Sequence, residues 1–91
     1  MARSSKQVTV TGVATLLLAF NANRTSACLT NTGPVTVFTG PDTTVTTTSG
    51  DELYSGMPEN YEKKEGDDTI SPLYGITAGT SAVVTVEEDT D

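Results

Sequence analysis

Residues 20–40 read FNANRTSACLTNTGPVTVFTG. In Ser26–Asn31, Ala27 and Leu29 alternate with Cys28 and Thr30. In Pro34–Gly40, Val35 and Val37 alternate with Thr36 and Phe38. A period of two in β-branched and apolar residues is the mark of a strand with one buried face. Thr32-Gly33, followed by Pro34, reads as a tight hairpin between the two runs. Asn21, Asn23 and Arg24 stand ahead of the first run and raise the question of what a lone arginine does there.

The same alternation recurs outward from this stretch, in VTVTGVAT, TTVTTT and SAVVTVEE. In the last of these, Val84 and Val86 should point one way, and Val83 and Thr85 the other. Glycine and proline interrupt the runs at short intervals, from Gly12 through Gly40-Pro41, Gly50, Gly56, Gly66 and Pro72 to Gly79. The expected strands are 6–11, 13–20, 25–31, 34–39, 43–47, 51–54, 70–76 and 81–87. Residues 58–66, PENYEKKEG, are expected as a loop or one short turn. Short strands with frequent turn signals predict an all-β fold: a small antiparallel β-sandwich, or a barrel-like form of jelly-roll or Ig-like type, in a single domain. Several strands carry apolar residues on both faces, which suits a sheet covered a second time by another subunit. The expected bounds are a flexible arm at 1–7, the sandwich at 8–88, and an acidic tail at 89–91.

Ninety-one residues with 35% hydrophobic content and no Trp make a thin core. Small domains of this kind draw added stability from disulfides, metals or association. Cys28 is the single cysteine, so it has no partner within the chain, and its mid-strand place predicts a buried, structural thiol. With no His and no Cys cluster, the usual zinc and transition-metal ligand sets are missing. Association is the remaining route.

The formal net charge is −7, from twelve acids and five bases. That balance opposes nucleic-acid binding, which needs a basic footprint, and also opposes attraction to anionic lipid. The apolar run Gly12–Phe20 is far shorter than the roughly 20 residues of a membrane span, and no cleavage site follows it.

The acids Asp67 and Asp68, and Glu87, Glu88, Asp89 and Asp91, lack the spaced loop of a calcium site and are expected to be solvated. Without His there is no Ser-His or Cys-His pair, and no glycine pattern forms a phosphate cradle, so no enzyme and no cofactor are expected. Asn23-Arg24-Thr25 matches a glycosylation triplet and is taken as coincidental. Tyr74 and Phe38 are expected as core or strand-end packing. Tyr61, in its charged segment, is expected to be the most exposed tyrosine. Arg3, Lys6, Tyr61, Lys63 and Lys64 are the expected partner-contact residues. Arg24 is expected to be a structural clamp, its five donors tying down loop carbonyls or an acid such as Asp42, Asp51 or Glu52.

The order of pieces resembles a group of small virion proteins of tailed bacteriophages. It runs from an apolar strand (Leu16–Phe20) through an N-x-N-R turn (Asn21–Arg24) to a strand ending in Asn (Ser26–Asn31). A glycine link into a valine-rich strand (Gly33–Gly40), Val45–Leu53, the PLYGITA segment (Pro72–Ala78) and a terminal strand (Ser81–Glu87) follow. Residues 58–69 depart from it, being longer and more charged than the turn expected there. The resemblance implies a β-sandwich on the outer surface of the virion, made in the cytoplasm of the host bacterium. There it would bind the major capsid protein, as a homotrimer, in the role of a decoration (cement) protein or a head-fibre base. The alternative is a carbohydrate- or host-surface-binding module of a head fibre or tail.

Overall fold

The computed structural model describes residues 2–91, and among them eight strands follow one another. They are β1 (Ala2–Val10), β2 (Thr15–Leu18), β3 (Arg24–Asn31), β4 (Val37–Gly40), β5 (Asp51–Leu53), β6 (Pro58–Glu62), β7 (Leu73–Ile76) and β8 (Ala82–Thr90). A 3-10 turn at Lys63–Glu65 follows β6. A long sheet has the order β1-β8-β3-β6 and a short sheet the order β2-β7-β4-β5. Every pairing is antiparallel. Eight strands in this order form a jelly roll, which resolves the choice among sandwich and barrel types. The chain is therefore a small all-β sandwich, as the alternation predicts.

The core lies between the sheets. Val10, Ala27, Leu29, Ala82, Val84 and Val86 come from the long sheet; Leu17, Leu18, Val37 and Leu53 come from the short one. Each fully buried Val or Leu contributes about 1.5–3 kcal/mol. The alternation expected for β3 and β8 is present: Ala27 and Leu29 point inward, as do Val84 and Val86. In β2 the register slips between Leu16 and Leu18, and this bulge lets the consecutive Leu17 and Leu18 both face the core.

Several expectations are corrected. Thr32-Gly33 is not a hairpin, because β3 and β4 belong to different sheets and the link carries the chain from one to the other. Gly33 is required there by space: a Cβ would sit 2.6 Å from that of Ala82 and 2.7 Å from its Cα. Buried Asn31 shapes the crossing. Its Nδ2 donates to the carbonyls of Val35 (2.7 Å) and Leu53 (2.9 Å), and its Oδ1 accepts from Gly33 N (3.0 Å).

The arm expected at 1–7 is a strand from Ala2 onward, while Met1 lies outside the described residues. Ala2 to Val10 pair in unbroken register with Thr90 to Ala82. A polar sequence can join a sheet without burying side chains, because the backbone ladder and cross-strand ion pairs hold it. The tail at 89–91 is corrected for the same reason. β8 runs to Thr90, flanked by β1 and β3, and Asp91 N donates to Asn23 O at 2.8 Å. The strand expected at 43–47 is a series of turns that nevertheless buries Val45, and the loop expected at 58–66 contains β6.

Candidate functional site

The two outer faces of the sandwich differ in chemistry. On the short sheet, Leu16 stands opposite Tyr74, Phe38 opposite Ile76, and Tyr74 also opposite Gly40. These pairs put Leu16, Phe38, Tyr74 and Ile76 on one outward surface. Leu16 is 41% exposed and the other three are half-buried. β7 is responsible for much of this, since it turns Gly75 inward with Leu73 and turns Tyr74 and Ile76 outward. The space inside is already taken: a Cβ on Gly75 would meet Leu17 Cδ1 at 3.0 Å and Val37 Cγ1 at 3.1 Å. The core is filled without Tyr74 and Ile76. At the end of this face, Phe38 borders a hollow shared with Val35, Thr36, Ala78 and Thr80.

On the outer face of the long sheet, the register aligns Arg3 with Asp89, Ser5 with Glu87 and Gln7 with Thr85. Arg3 donates through Nε and Nη2 to the two oxygens of Asp89 (both 2.9 Å) and through Nη1 to Glu87 (3.3 Å). Ser26 Oγ donates to Asp89 from the other side at 2.7 Å. The Arg3 and Ser26 hydrogen bonds hold the Asp89 carboxyl below its ordinary value. Arg3 thus serves β1–β8 pairing rather than a free arm. Lys6 is exposed and lies opposite Val86, and Lys63 and Lys64 are exposed in the 3-10 turn. The two turn lysines border a shallow hollow with Thr25, Ser26, Glu62 and Asp89, so the structure does not gather the five expected contact residues into one site. Cys28 also faces outward and is half-buried, in correction of the core position expected for it.

Arg24 is 2% exposed. A bulge between Arg24 and Ser26 in the β3–β8 pairing turns it inward, where simple alternation would have placed Thr25. Its Nη1 donates to Thr69 O at 3.1 Å and its Nη2 to Ala19 O. Thr69 Oγ1 returns a bond to Arg24 O at 2.9 Å. Nε lies 3.8 Å from Glu88 Oε2, within ion-pair reach but without a hydrogen bond. Loop carbonyls were among its expected partners; its acid is Glu88, in place of the Asp42, Asp51 or Glu52 expected. Sequence spacing could not find Glu88, which reaches Arg24 only through the β3–β8 register. Asn21 builds the preceding turn, its Oδ1 accepting from Asn23 N at 2.9 Å.

Beyond Thr69 the sheets part around a cavity of about 160 Å³. Leu18, Ala27, Leu73, Pro72 and Tyr61 line it, with Asp51 and Asp68. Tyr61 is half-buried, not the most exposed tyrosine, which is Tyr54 at 54%. It shares the inner face of β6 with Glu59, to which its hydroxyl donates at 2.6 Å. Burial first, then the Glu59 bond and the carboxylates of Asp51 and Asp67, push the Tyr61 phenol far above its ordinary value. The Asp68 carboxyl is held below its ordinary value, chiefly by Ser71 and then by the Ile70 amide. Among the described residues no cluster of three acids, Cys or His is placed to hold a metal ion. No helix among them is long and apolar enough to cross a membrane.

Fold and surfaces define a jelly-roll sandwich with one apolar and one charged outer face. No protein-family model matches the chain, and no curated protein does. One solved structure, described as "Bacillus endospore appendages form a novel family of disulfide-linked pili", aligns with 99% of this chain and 87% of its own. It is 12% identical, with a TM-score of 0.45.

Proposed function

We propose that this chain is a structural, non-enzymatic protein of a tailed-bacteriophage particle. In this reading it is a decoration (cement) protein that binds the outer surface of the major capsid protein and stabilises the shell. It works on the virion as a homotrimer, after synthesis in the host bacterium. The observation that carries the reading is the outer face of the short sheet, where exposed Leu16 and half-buried Phe38, Tyr74 and Ile76 face outward while the core closes without them. Contiguous apolar surface of this kind marks interaction sites. A thin-cored domain gains stability when such a face is covered in an assembly. The ordered resemblance to small phage virion proteins supplies the capsid as occupant.

The test is to mix purified protein with undecorated capsids and measure co-sedimentation, copy number and resistance of the shell to heat. Saturable binding in multiples of three, lost in Tyr74→Glu, is expected. Failure of the native protein to co-sediment would sink the reading. Light scattering on the free protein reports whether the trimer precedes attachment.

One observation favours a second reading, a carbohydrate- or host-surface-binding module of a head fibre or tail. Phe38 and Tyr74 lie on the same outer face, where aromatic rings can stack on sugars. Jelly rolls serve in both capsids and lectins, so the fold is neutral between the two. Glycan-array binding without capsid affinity would decide for this alternative.

A further inference from the structure

The cavity between the sheets opens beside two edge strands, β5 and β6. Leu18 and Ala27 are buried and form its floor, while Asp51 and Asp68 are exposed and stand at its mouth. The β4–β5 register places Asp51 opposite Thr39, on the inward face that also carries Val37 and Leu53. Across the gap, Tyr61 projects from the inward face of β6, opposite Ala27. An acid thus occupies an inward edge position where an apolar residue would have closed the sandwich. Neither Asp51 nor Asp68 has a cationic side chain within 4.0 Å among the described residues. Backbone hydrogen bonds from Ile70 (3.2 Å) and Ser71 (3.1 Å) fix the Asp68 carboxylate in place.

Size and chemistry select the occupant. A volume of about 160 Å³ matches the roughly 150 Å³ apolar cavity that accepts a benzene ring, and falls below the roughly 300 Å³ of the smallest metabolite pockets. It therefore holds one side chain. Apolar walls suit a methylene stem, the two mouth carboxylates suit a cation, and an aromatic wall suits a planar guanidinium. We propose that this cavity receives an arginine side chain of a partner polypeptide, its stem against Leu18, Ala27 and Leu73 and its guanidinium between Asp51 and Asp68. Arg24 would shape the receptor from behind, since it holds Thr69, one of the lining residues, by its carbonyl. The inference does not rest on the capsid reading, and its test needs no capsid.

The experiment is a titration of isotope-labelled full-length protein with the peptide acetyl-Gly-Arg-Gly-amide, followed by nuclear magnetic resonance. The same peptide with citrulline, a neutral isostere, or norleucine, an apolar stem alone, is the comparator. Saturable shifts confined to Leu18, Ala27, Tyr61 and Leu73 are expected, with affinity weaker for the citrulline peptide by up to about fivefold. Asp51→Asn together with Asp68→Asn should lower arginine-peptide binding to the citrulline level, with spectral dispersion reporting on folding. If the double variant unfolds, Asp51→Asn alone, on an exposed edge position, should still weaken binding. Equal binding of the three peptides, shifts located elsewhere, or no saturable shift overturns the proposal.

Discussion

The two sheets solve the same problem with opposite surfaces. The long sheet carries Arg3, Glu87, Asp89, Ser26 and Thr85 on its outer face, and it is wet there by design of its alternation. The short sheet carries Leu16, Phe38, Tyr74 and Ile76 on its outer face, although its strands are only three or four residues long. A short strand has few positions, and Gly75 gives up one inward position to Leu17 and Val37. Tyr74 and Ile76 of β7 are thereby left outside, while Leu73 packs toward the core. The contrast teaches that apolar residues in a strand do not by themselves identify the core. What decides is which face has room.

The largest effect is expected where the sheets are tied together. Arg24→Ala removes the donor to the Ala19 and Thr69 carbonyls and strands Glu88 without its cation. A loss of about 3 kcal/mol is expected, read as a lower urea midpoint, and Arg24→Lys should recover only part of it because the planar fork is gone. An unchanged midpoint would remove the clamp from the comparison.

Next in size is the contrast between the faces themselves. Under the proposed capsid reading, Ile76→Glu on the short sheet should weaken capsid co-sedimentation by about 30-fold, the scale of a hot-spot residue. Thr85→Glu on the long sheet should leave it unchanged. Equal loss from both would show that the faces do not differ in use.

A smaller effect belongs to Tyr61 at alkaline pH. Its folded value is raised above the ordinary 10.0, so the stability it contributes is complete below about pH 10 and declines as pH rises toward the folded value. Tyr61→Phe should flatten that alkaline decline in thermal melts, and an unaltered slope would contradict the burial assigned to the phenol.

The smallest is on the charged face. Asp89 titrates below its ordinary 3.8, so its contribution is present above that pH and lost as pH falls through the folded value. Arg3→Ala should soften this acid dependence and lower stability at neutral pH by the same small amount, because the loss on acidification is the pair's own contribution and the pair is exposed. Thermal melts between pH 2 and pH 5 measure it.

Much of the scaffold could be read from particular residues. Ala27 and Leu29 against Cys28 and Thr30, and Val84 and Val86 against Val83 and Thr85, alternate locally, and burial follows. Arg24 could be read as a clamp because Asn21 and Asn23 announce a turn and loop carbonyls lie within reach of any arginine so placed. The apolar outer face was visible only as an excess of apolar residues on both sides of several strands. Its membership depended on the Leu16–Tyr74 and Phe38–Ile76 pairings, which join segments far apart in the chain. The cavity acids were hidden for the same reason: Asp51 turns inward through its pairing with Thr39, and Asp68 approaches through a loop. Asn31 had a signal that could have been weighed, a strand-ending Asn directly before Thr-Gly-Pro, where an amide can bind several backbone groups.

By itself, the sequence determined the all-β class, the inward residues of β3 and β8, and the acidic charge, because these follow from composition and a period of two between adjacent residues. Only the tertiary structure decided that β3 and β4 lie in different sheets, that Ala2–Gln7 extend a strand, and that Arg24 rather than Thr25 turns inward. Those outcomes rest on hydrogen bonds between residues remote in the chain and on one-residue bulges, and a bulge reverses which side of the sheet a side chain occupies.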